Sequence, residues 1–397
     1  MSTSTTATRK SKSEPLRFAH PFFTTTPPAA RPVTRHGRRM TDHIKGTLYP
    51  IPKPKRDPVM TLADIIGSRG AQQIEQTGKV TFHAVGDTGR GKDSPQGEVA
   101  EAMARDFDVA HPEQSPAFFF HLGDVIYGIH KDQSYRPEFY EPYQHYPGKI
   151  IAIPGNHDRE EFPDTDPKTA RAFVANFCAP DAKVPGIAGS IFRETVTQPG
   201  IFWLLDAPFV DIIGLDSNGA ENPGFISGSV PGTLQKKWLA ATLKTIAKSR
   251  KKGPRKGLII ATHHPPYSAA GHSGSAEMLV DVDDACTQAG VMPDLFLSAH
   301  AHNYQRYTRT LTLGGRTLQI PFIVAGMGGK NDQAIPAATG QRDGDHTFVA
   351  SKKGYGYLLI EASARTLAVK TIGVDVESRA RTTVDSVTVT LDTNTVA

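Results

Sequence analysis

The stretch KVTFHAVGDTG (79–89) decides the fold: an apolar run closes on glycine and aspartate and then turns. Four further stretches repeat the pattern, namely FFFHLGD (118–124), KIIAIPGNHD (149–158), GLIIATHH (257–264) and DLFLSAHAH (294–302). Short apolar runs bounded by turn residues read as buried strands of an α/β protein. In open α/β sheets, ligands bind beyond the carboxyl ends of the strands. The polar residues that close or follow these runs are therefore expected to share one cavity. They are Asp87, Asp124, Tyr127, Asn156, His263, His300 and His302. Glycines 86, 123 and 155 stand just before Asp87, Asp124 and Asn156, where a chain leaving a strand is expected to need φ values that other residues resist.

The seven residues supply carboxylates, an amide carbonyl, imidazoles and a phenol, oxygen and nitrogen donors suited to a hard divalent or trivalent cation. Together they are enough for two six-coordinate spheres with positions left for water. Two metals about 3.5–4 Å apart stabilise the attacking and leaving oxygens of an in-line displacement. A shared carboxylate is the usual bridge, and Asp124 is central in the motif order. Water near such cations loses pKa, down to about 7 in the best-known zinc case, which supplies a metal-bound hydroxide as nucleophile.

The set GDTG (86–89), GDVIY (123–127), GNHD (155–158), THHPPY (262–267) and AHAHNYQR (299–306) resembles the calcineurin-like metallophosphoesterase superfamily. Within it, the set is similar to the purple acid phosphatases. Most of the superfamily opens with Asp-x-His, whereas Asp87 is followed by Thr88 and Gly89. Tyr127, three residues after Asp124, stands where the purple enzymes supply a tyrosinate to ferric iron. The resemblance covers roughly residues 79–360. It implies a four-layer αββα sandwich of two mixed β-sheets flanked by helices. It also implies Fe3+ at Asp87, Tyr127 and His302, a divalent ion (Fe2+, Zn2+ or Mn2+) at Asn156, His263 and His300, and Asp124 between them. His157 matches a histidine that contacts phosphate and protonates the leaving group, and His272 is similar, more loosely, to a further substrate-facing histidine. One departure is Ala299, where the family usually has glycine; an ordinary strand-end conformation there would make the change harmless.

Other histidines have plainer readings. His83 and His121 lie inside apolar strands and read as core residues, while His264 reads as a neighbour whose ring points elsewhere. Histidines 20, 36 and 43 fall in a polar N-terminal segment, and no motif places His130, His145 or His346. Asp216, in GLDSN, reads as a supporting or turn residue.

Of the formal net charge of +5, residues 1–60 carry +9 (twelve Lys or Arg, three Asp or Glu), leaving −4 for the remainder. The basic character belongs to this segment, which argues against nucleic acid as the main partner. Rich in Ser, Thr and Pro, the segment reads as a disordered or draped extension, with Phe18, Phe22 and Phe23 as candidate anchors, ahead of a single catalytic domain at 61–397. No stretch approaches the roughly 20 apolar residues of a membrane span. No apolar signal core is visible, and none follows Arg38-Arg39, so a cytoplasmic location is the default. Cys178 and Cys286 are the only cysteines and imply no disulfide framework.

Helices are expected near 60–70, 94–110, 166–178, 230–250 and 275–289, with consecutive strands over 190–217 and an all-strand pattern after 303. In the 230–250 helix, Leu234, Trp238, Leu239 and Leu243 form a core-facing stripe at helical spacing. Glycines 326, 328 and 329 form a turn beside the cavity. The function expected is binuclear hydrolysis of small phosphate monoesters. The alternatives are a phosphodiesterase or nucleotide hydrolase on the same core, and a catalytically silent binding protein.

Overall fold

The computed structural model describes residues 48–108, 110–128, 131–159 and 170–397. Two sheets form the core, as expected. Seven strands make the first, in the order β4 (Lys149–Ala152), β3 (Phe118–His121), β2 (Lys79–Val85), β13 (Tyr355–Ser363), β14 (Thr366–Val374), β15 (Arg381–Thr390) and β16 (Thr395–Val396). Strands β2, β3 and β4 are parallel, and β13 joins β2 antiparallel. The second sheet has nine strands: β1 (Val59–Thr61), β5 (Trp203–Asp206), β6 (Val210–Gly214), β7 (Gly257–Ala261), β8 (Leu295–Ser298), β10 (Arg316–Ala325), β9 (Tyr304–Leu313), β12 (His346–Lys352) and β11 (Arg342–Asp343). Both sheets mix parallel and antiparallel pairs.

Burial explains the composition of the central strands. Phe118, Phe119 and Phe120 of β3 are all fully buried, so neither face of this strand meets water. A run apolar on both faces is what a parallel strand covered on both sides requires. One buried cluster, including Phe82, Phe120, Ile151, Trp203 and Ile212, fills the space between the sheets. Trp203 also donates its indole N–H to the Ala152 carbonyl at 3.1 Å, tying the second sheet to the edge strand β4 of the first. Gln198 finishes that edge: its amide accepts from Ala152 N at 2.7 Å and donates to Ala152 O at 2.8 Å.

Helices cover the outer faces. Helix α1 (Leu62–Thr77) starts at a capping box, with Thr61 Oγ1 accepting from Asp64 N and Asp64 Oδ2 accepting from Thr61 N, and ends at Gly78 in the left-handed region. Helix α2 (Gln96–Ala104) packs beside β13 and β14. Helix α3 (Asn156–Arg159) is a single turn, and α4 (Arg171–Phe177) follows it. Helices α5 (Leu234–Arg250) and α6 (Ala276–Ala289) pack together over the second sheet. Their buried Leu239, Leu243, Ile246, Met278 and Val282 form a second cluster, each worth about 1.5–3 kcal/mol when fully buried.

Two sequence expectations need correction. Leu234 is 38% exposed; it opens the first turn of α5 on the solvent side, and the buried face is instead Gln235, Leu239, Thr242, Leu243 and Ile246. The consecutive strands expected over 190–217 reduce to β5 and β6; residues 190–202 run irregularly, tied back by bonds such as Val196 N to Asn176 O.

The N-terminal boundary expected at residue 60 falls inside β1, which pairs with β5. Ahead of it, Tyr49 exchanges two hydrogen bonds with Asn218, and buried Ile51 donates its N–H to Pro231 O. Histidines 20, 36 and 43, Phe18, Phe22, Phe23 and the Arg38-Arg39 pair lie outside the described residues, as does His130.

Candidate metal centre

The carboxyl ends of β2, β3 and β4 from one sheet and of β7 and β8 from the other converge. The connections are short backbone bonds: Asp87 N donates to Gly123 O, Gly86 N to Ala325 O, and Ala299 N to His263 O. All seven candidate ligands reach this seam, and all but His302 are buried.

The backbone there is strained in an unexpected way. Of the three glycines, only Gly123 has positive φ; three of the candidate ligands share this feature, Asp87 (φ 53°), Asp124 (φ 52°) and His300 (φ 69°). Such positions cost about 1–3 kcal/mol each and cluster at functional sites. Gly86 and Gly155 are required by space instead: a Cβ on Gly86 would lie 2.6 Å from Ala299 Cβ, and one on Gly155 would lie 2.1 Å from Asp124 Oδ1. Ala299 itself is not among the positive-φ residues, so the departure noted there is harmless. Gly326 abuts the centre as expected, since a Cβ there would sit 2.7 Å from Asp87 Oδ2.

The donors fall into two adjoining sets, which meet where His263 Nε2 lies 4.0 Å from Asp87 Oδ1. Around Asp87 Oδ1 stand Tyr127 Oη at 3.0 Å and His302 Nε2 at 3.6 Å. Around His263 Nε2 stand Asn156 Oδ1 at 3.2 Å, His300 Nδ1 at 3.2 Å and Asp124 Oδ2 at 3.5 Å. Asp124, His263 and His300 offer ligand atoms all within 4.8 Å of one another.

The histidine tautomers fit a cation. His263 Nδ1 lies 2.9 Å from Leu122 O, His300 Nε2 lies 2.6 Å from Glu221 O, and His302 Nδ1 lies 3.1 Å from Asn331 O. Each backbone carbonyl accepts the proton on that nitrogen, which turns the lone pair of the other toward the centre. This is the arrangement that metal-ligating histidines adopt.

Without a cation the same crowding binds protons. Burial pushes the Asp87 carboxyl up to about 7, with His263 working against the shift and Asp124 adding to it. Burial opposes a charge on His263, but Asp124 and Asp87 outweigh it and hold the imidazole at about 9. Asp124 goes the other way: burial works against its charge, and His263 and His157 hold it well below the usual carboxylate range. Burial, then Asp87 and Asp124, keep the Tyr127 phenol well above its ordinary value, and its O–H donates to Asp87.

His157 is half-buried; its ring lies 4.6 Å from that of Tyr127 and its N–H donates to Asp124 Oδ1 at 2.9 Å. His272 lies against His300 with centroids 4.0 Å apart and the rings tilted by 35°, held between Asn222 and Gln333, and burial pushes its pKa down to about 3. The plainer histidine readings also find their places. His83 bonds Tyr146 and Asp106, His121 bonds Thr88, and His264 bonds Ser217 and Ala220 O, all buried. His346 stacks on Tyr267, away from the seven donors, and His145 is exposed. Asp216 forms a buried ion pair with Arg159 of α3 at 3.3 Å, directly behind Asn156 and His157.

Sequence reasoning missed the residues that hold the ligand loops. Asp158 accepts from Val125 N, Ile126 N and Gly155 N, joining the loops that carry Asp124 and Asn156. Glu138 accepts from Tyr127 N at 2.6 Å and Gly128 N at 3.2 Å. Gln333 Oε1 accepts from His302 N. Only Asp158, lying within GNHD, carried any signal.

Comparison with known proteins follows the same lines. No curated protein matches the chain. Among solved structures, GAP50, "the anchor in the inner membrane complex of Plasmodium", superposes with a TM-score of 0.50 at 14% identity, over 78% of this chain and 87% of its own. PhoD superposes with a TM-score of 0.51 at 11% identity, over 87% of this chain and 73% of its own. At such identities the likeness is one of fold. The family model for calcineurin-like phosphoesterases matches residues 80–304, from the second strand to the last histidine motif. The chain belongs to the calcineurin-like phosphoesterase family, whose members hydrolyse phosphoesters with metal ions.

Proposed function

We propose that this protein is a purple acid phosphatase-like enzyme that hydrolyses phosphate monoesters at a binuclear centre. The observation that carries the reading is the division of the donors into two groups, one around Asp87 with Tyr127 and His302, the other around His263 with Asn156, His300 and Asp124. Asp87, Tyr127 and His302 would hold Fe3+, and Asn156, His263 and His300 a divalent ion (Fe2+, Zn2+ or Mn2+), with Asp124 shared. When bound, the cations supply Lewis-acid stabilisation of the phosphoryl oxygens and lower the pKa of nearby water.

The chain's own residues do the rest. Asp87, Asp124 and the three oriented histidines fix the position of positive charge before substrate arrives, and preorganised charge is commonly the largest catalytic contribution. His157 stands beside Tyr127 at the mouth and would donate a proton to the leaving alcohol oxygen. His272, kept neutral by burial, is suited to accepting or donating a hydrogen bond to substrate rather than to carrying charge. The phenol of Tyr127, held protonated by burial and two carboxylates, needs a strongly polarising cation to become a ligand, which favours a trivalent ion.

Iron loading tests this reading. The oxidised, iron-loaded protein is expected to be coloured by phenolate-to-metal charge transfer, with Tyr127→Phe colourless, and to turn over aryl phosphate monoesters faster than diesters. A colourless, iron-free and fully active wild type would make the purple branch wrong. Preference for diesters would favour the phosphodiesterase alternative.

A further inference from the structure

Ahead of the region 80–304 that the family model matches, residues 48–51 pack against the loop that follows β6 and against the turn α3. Tyr49 N–H donates to Asn218 Oδ1 at 2.8 Å, and Tyr49 O accepts from Asn218 Nδ2 at 2.9 Å. Pro50 O accepts from Arg159 Nη2 at 3.3 Å, while the Arg159 guanidinium sits over the Tyr49 ring, 5.7 Å from its centroid. Ile51 N–H closes the contact on Pro231 O. The fit is close: a Cβ on Gly219 would lie 2.9 Å from the Tyr49 ring and 3.2 Å from Arg159 Cβ. Asn218 holds φ 78°, a left-handed conformation that asparagine tolerates better than most residues.

The loop clasped in this way, 216–222, touches the carrier of each ligand assigned to the divalent ion. Asp216 Oδ1 lies 3.3 Å from Arg159 Nε, both side chains being fully buried, and Arg159 ends the turn that Asn156 begins. Ser217 Oγ accepts at 3.0 Å from the backbone N–H of His264, the residue after His263. Glu221 O takes the Nε2 proton of His300 at 2.6 Å. The other donor set rests elsewhere: Glu138 accepts from Tyr127 N, and Gln333 and the Asn331 carbonyl hold His302. We propose that residues 48–51 position the divalent half of the centre, with Arg159 as the positioning residue that couples them to Asn156. This rests on the reading of Asn156, His263 and His300 as one cation's ligands, and makes residues outside the matched family region part of that cation's support. The planar fork of Arg159 serves Asp216 and Pro50 at once while its face meets the tyrosine, an arrangement that a lysine ammonium does not reproduce. A buried guanidinium that loses a partner is costly to hold in place, and its displacement moves the turn bearing Asn156. Outer partners of metal ligands typically carry about ten- to hundredfold effects on affinity.

The test is calorimetric titration of the full-length, metal-free protein with Zn2+. The binding step that Asn156→Ala weakens most identifies the divalent set. Asn218→Gly removes the clasp on Tyr49 and keeps the left-handed backbone; it is expected to weaken that step about tenfold or more and to leave the other unchanged. Tyr49→Ala should weaken the same step less, and Arg159→Lys at least as much as Asn218→Gly. In the double variant carrying Asn218→Gly and Arg159→Lys, the loss should fall short of the product of the two single losses, because both loosen one unit. Wild-type Zn2+ affinities, with only the urea midpoint lowered, would overturn the proposal by showing a purely structural role. Equal weakening of both steps, or losses that multiply in full, would overturn it as well. If Asn156→Ala weakened neither step, the ligand assignment would fall and the proposal with it, whereas an Asn156→Ala effect without an Asn218→Gly effect would sink the proposal alone.

Discussion

Asp158→Asn probes the least visible part of the site. The Asp158 carboxylate accepts Val125 N on both oxygens at 3.1 Å, Ile126 N on Oδ1 at 3.3 Å and Gly155 N on Oδ2 at 2.8 Å. Donors thus converge on both oxygens. An asparagine has one acceptor oxygen, so its amide N–H2 must face either Ile126 N or Gly155 N, donor against donor. Hydrogen bonds to a charged acceptor are worth about 1.5–3 kcal/mol each, and a buried N–H left unpaired costs a further 1–3 kcal/mol or so. Partial relaxation of the loop returns some of this, so a net loss of about 2–3 kcal/mol is expected. The bonds join the loop bearing Asp124 to the turn bearing Asn156, so the loss should also weaken metal binding, by about tenfold or more for a partner outside the ligand set. Urea unfolding of the metal-free protein gives the first quantity, and calorimetric titration with a divalent ion the second. A variant within about 0.5 kcal/mol of wild type, binding metal equally well, would refute the view that Asp158 holds the two loops in register.

Two further outcomes follow from the same geometry. Asp87 and His263 have folded-state values raised to about 7 and about 9, above their ordinary 3.8 and 6.5. Raised values contribute stability that is present below the unfolded value and lost as pH climbs through the folded one. Below about pH 6.5 the buried His121, His264, His272 and His302, held down to about 3–4, act in the opposite direction. The metal-free protein should therefore become less stable only as pH rises from about 6.5 to 9, while metal affinity increases over the same range as protons leave the ligands; a flat profile over that range in denaturant titrations would contradict this. A chain beginning at residue 62 should be less stable than one beginning at residue 48 by about 3–6 kcal/mol, because it loses buried Ile51 and Met60; equal urea midpoints would show that these residues contribute nothing.

Much of this was legible in the sequence because the site is written where the strands end. Runs such as FFFHLGD must be buried on both faces to be stable, and the polar residue that stops each run is left at the seam between sheets. Leu234 misled because helical spacing alone cannot distinguish the first exposed turn of α5 from its buried face. Residues 190–202 misled because a side chain, Gln198, supplies edge pairing that the pattern attributed to strands. The roles of Gly86 and Gly155 were misassigned to φ because the crowding that requires them comes from Ala299 and Asp124, residues distant in sequence. Glu138 and Gln333 were invisible for the same reason: their partners, Tyr127 and His302, lie 11 and 31 residues away and form no local motif.

The central claim is that these seven side chains form a binuclear hydrolytic centre. Metal-free protein reconstituted with increasing metal, assayed on 4-nitrophenyl phosphate and analysed for bound metal in the same samples, tests it most directly. Turnover is expected to rise with bound metal and level off at two ions per chain, with Asp124→Ala holding less metal and remaining inactive. Turnover that saturates at one ion, full activity in Asp124→Ala, or no turnover with two ions bound would contradict the account.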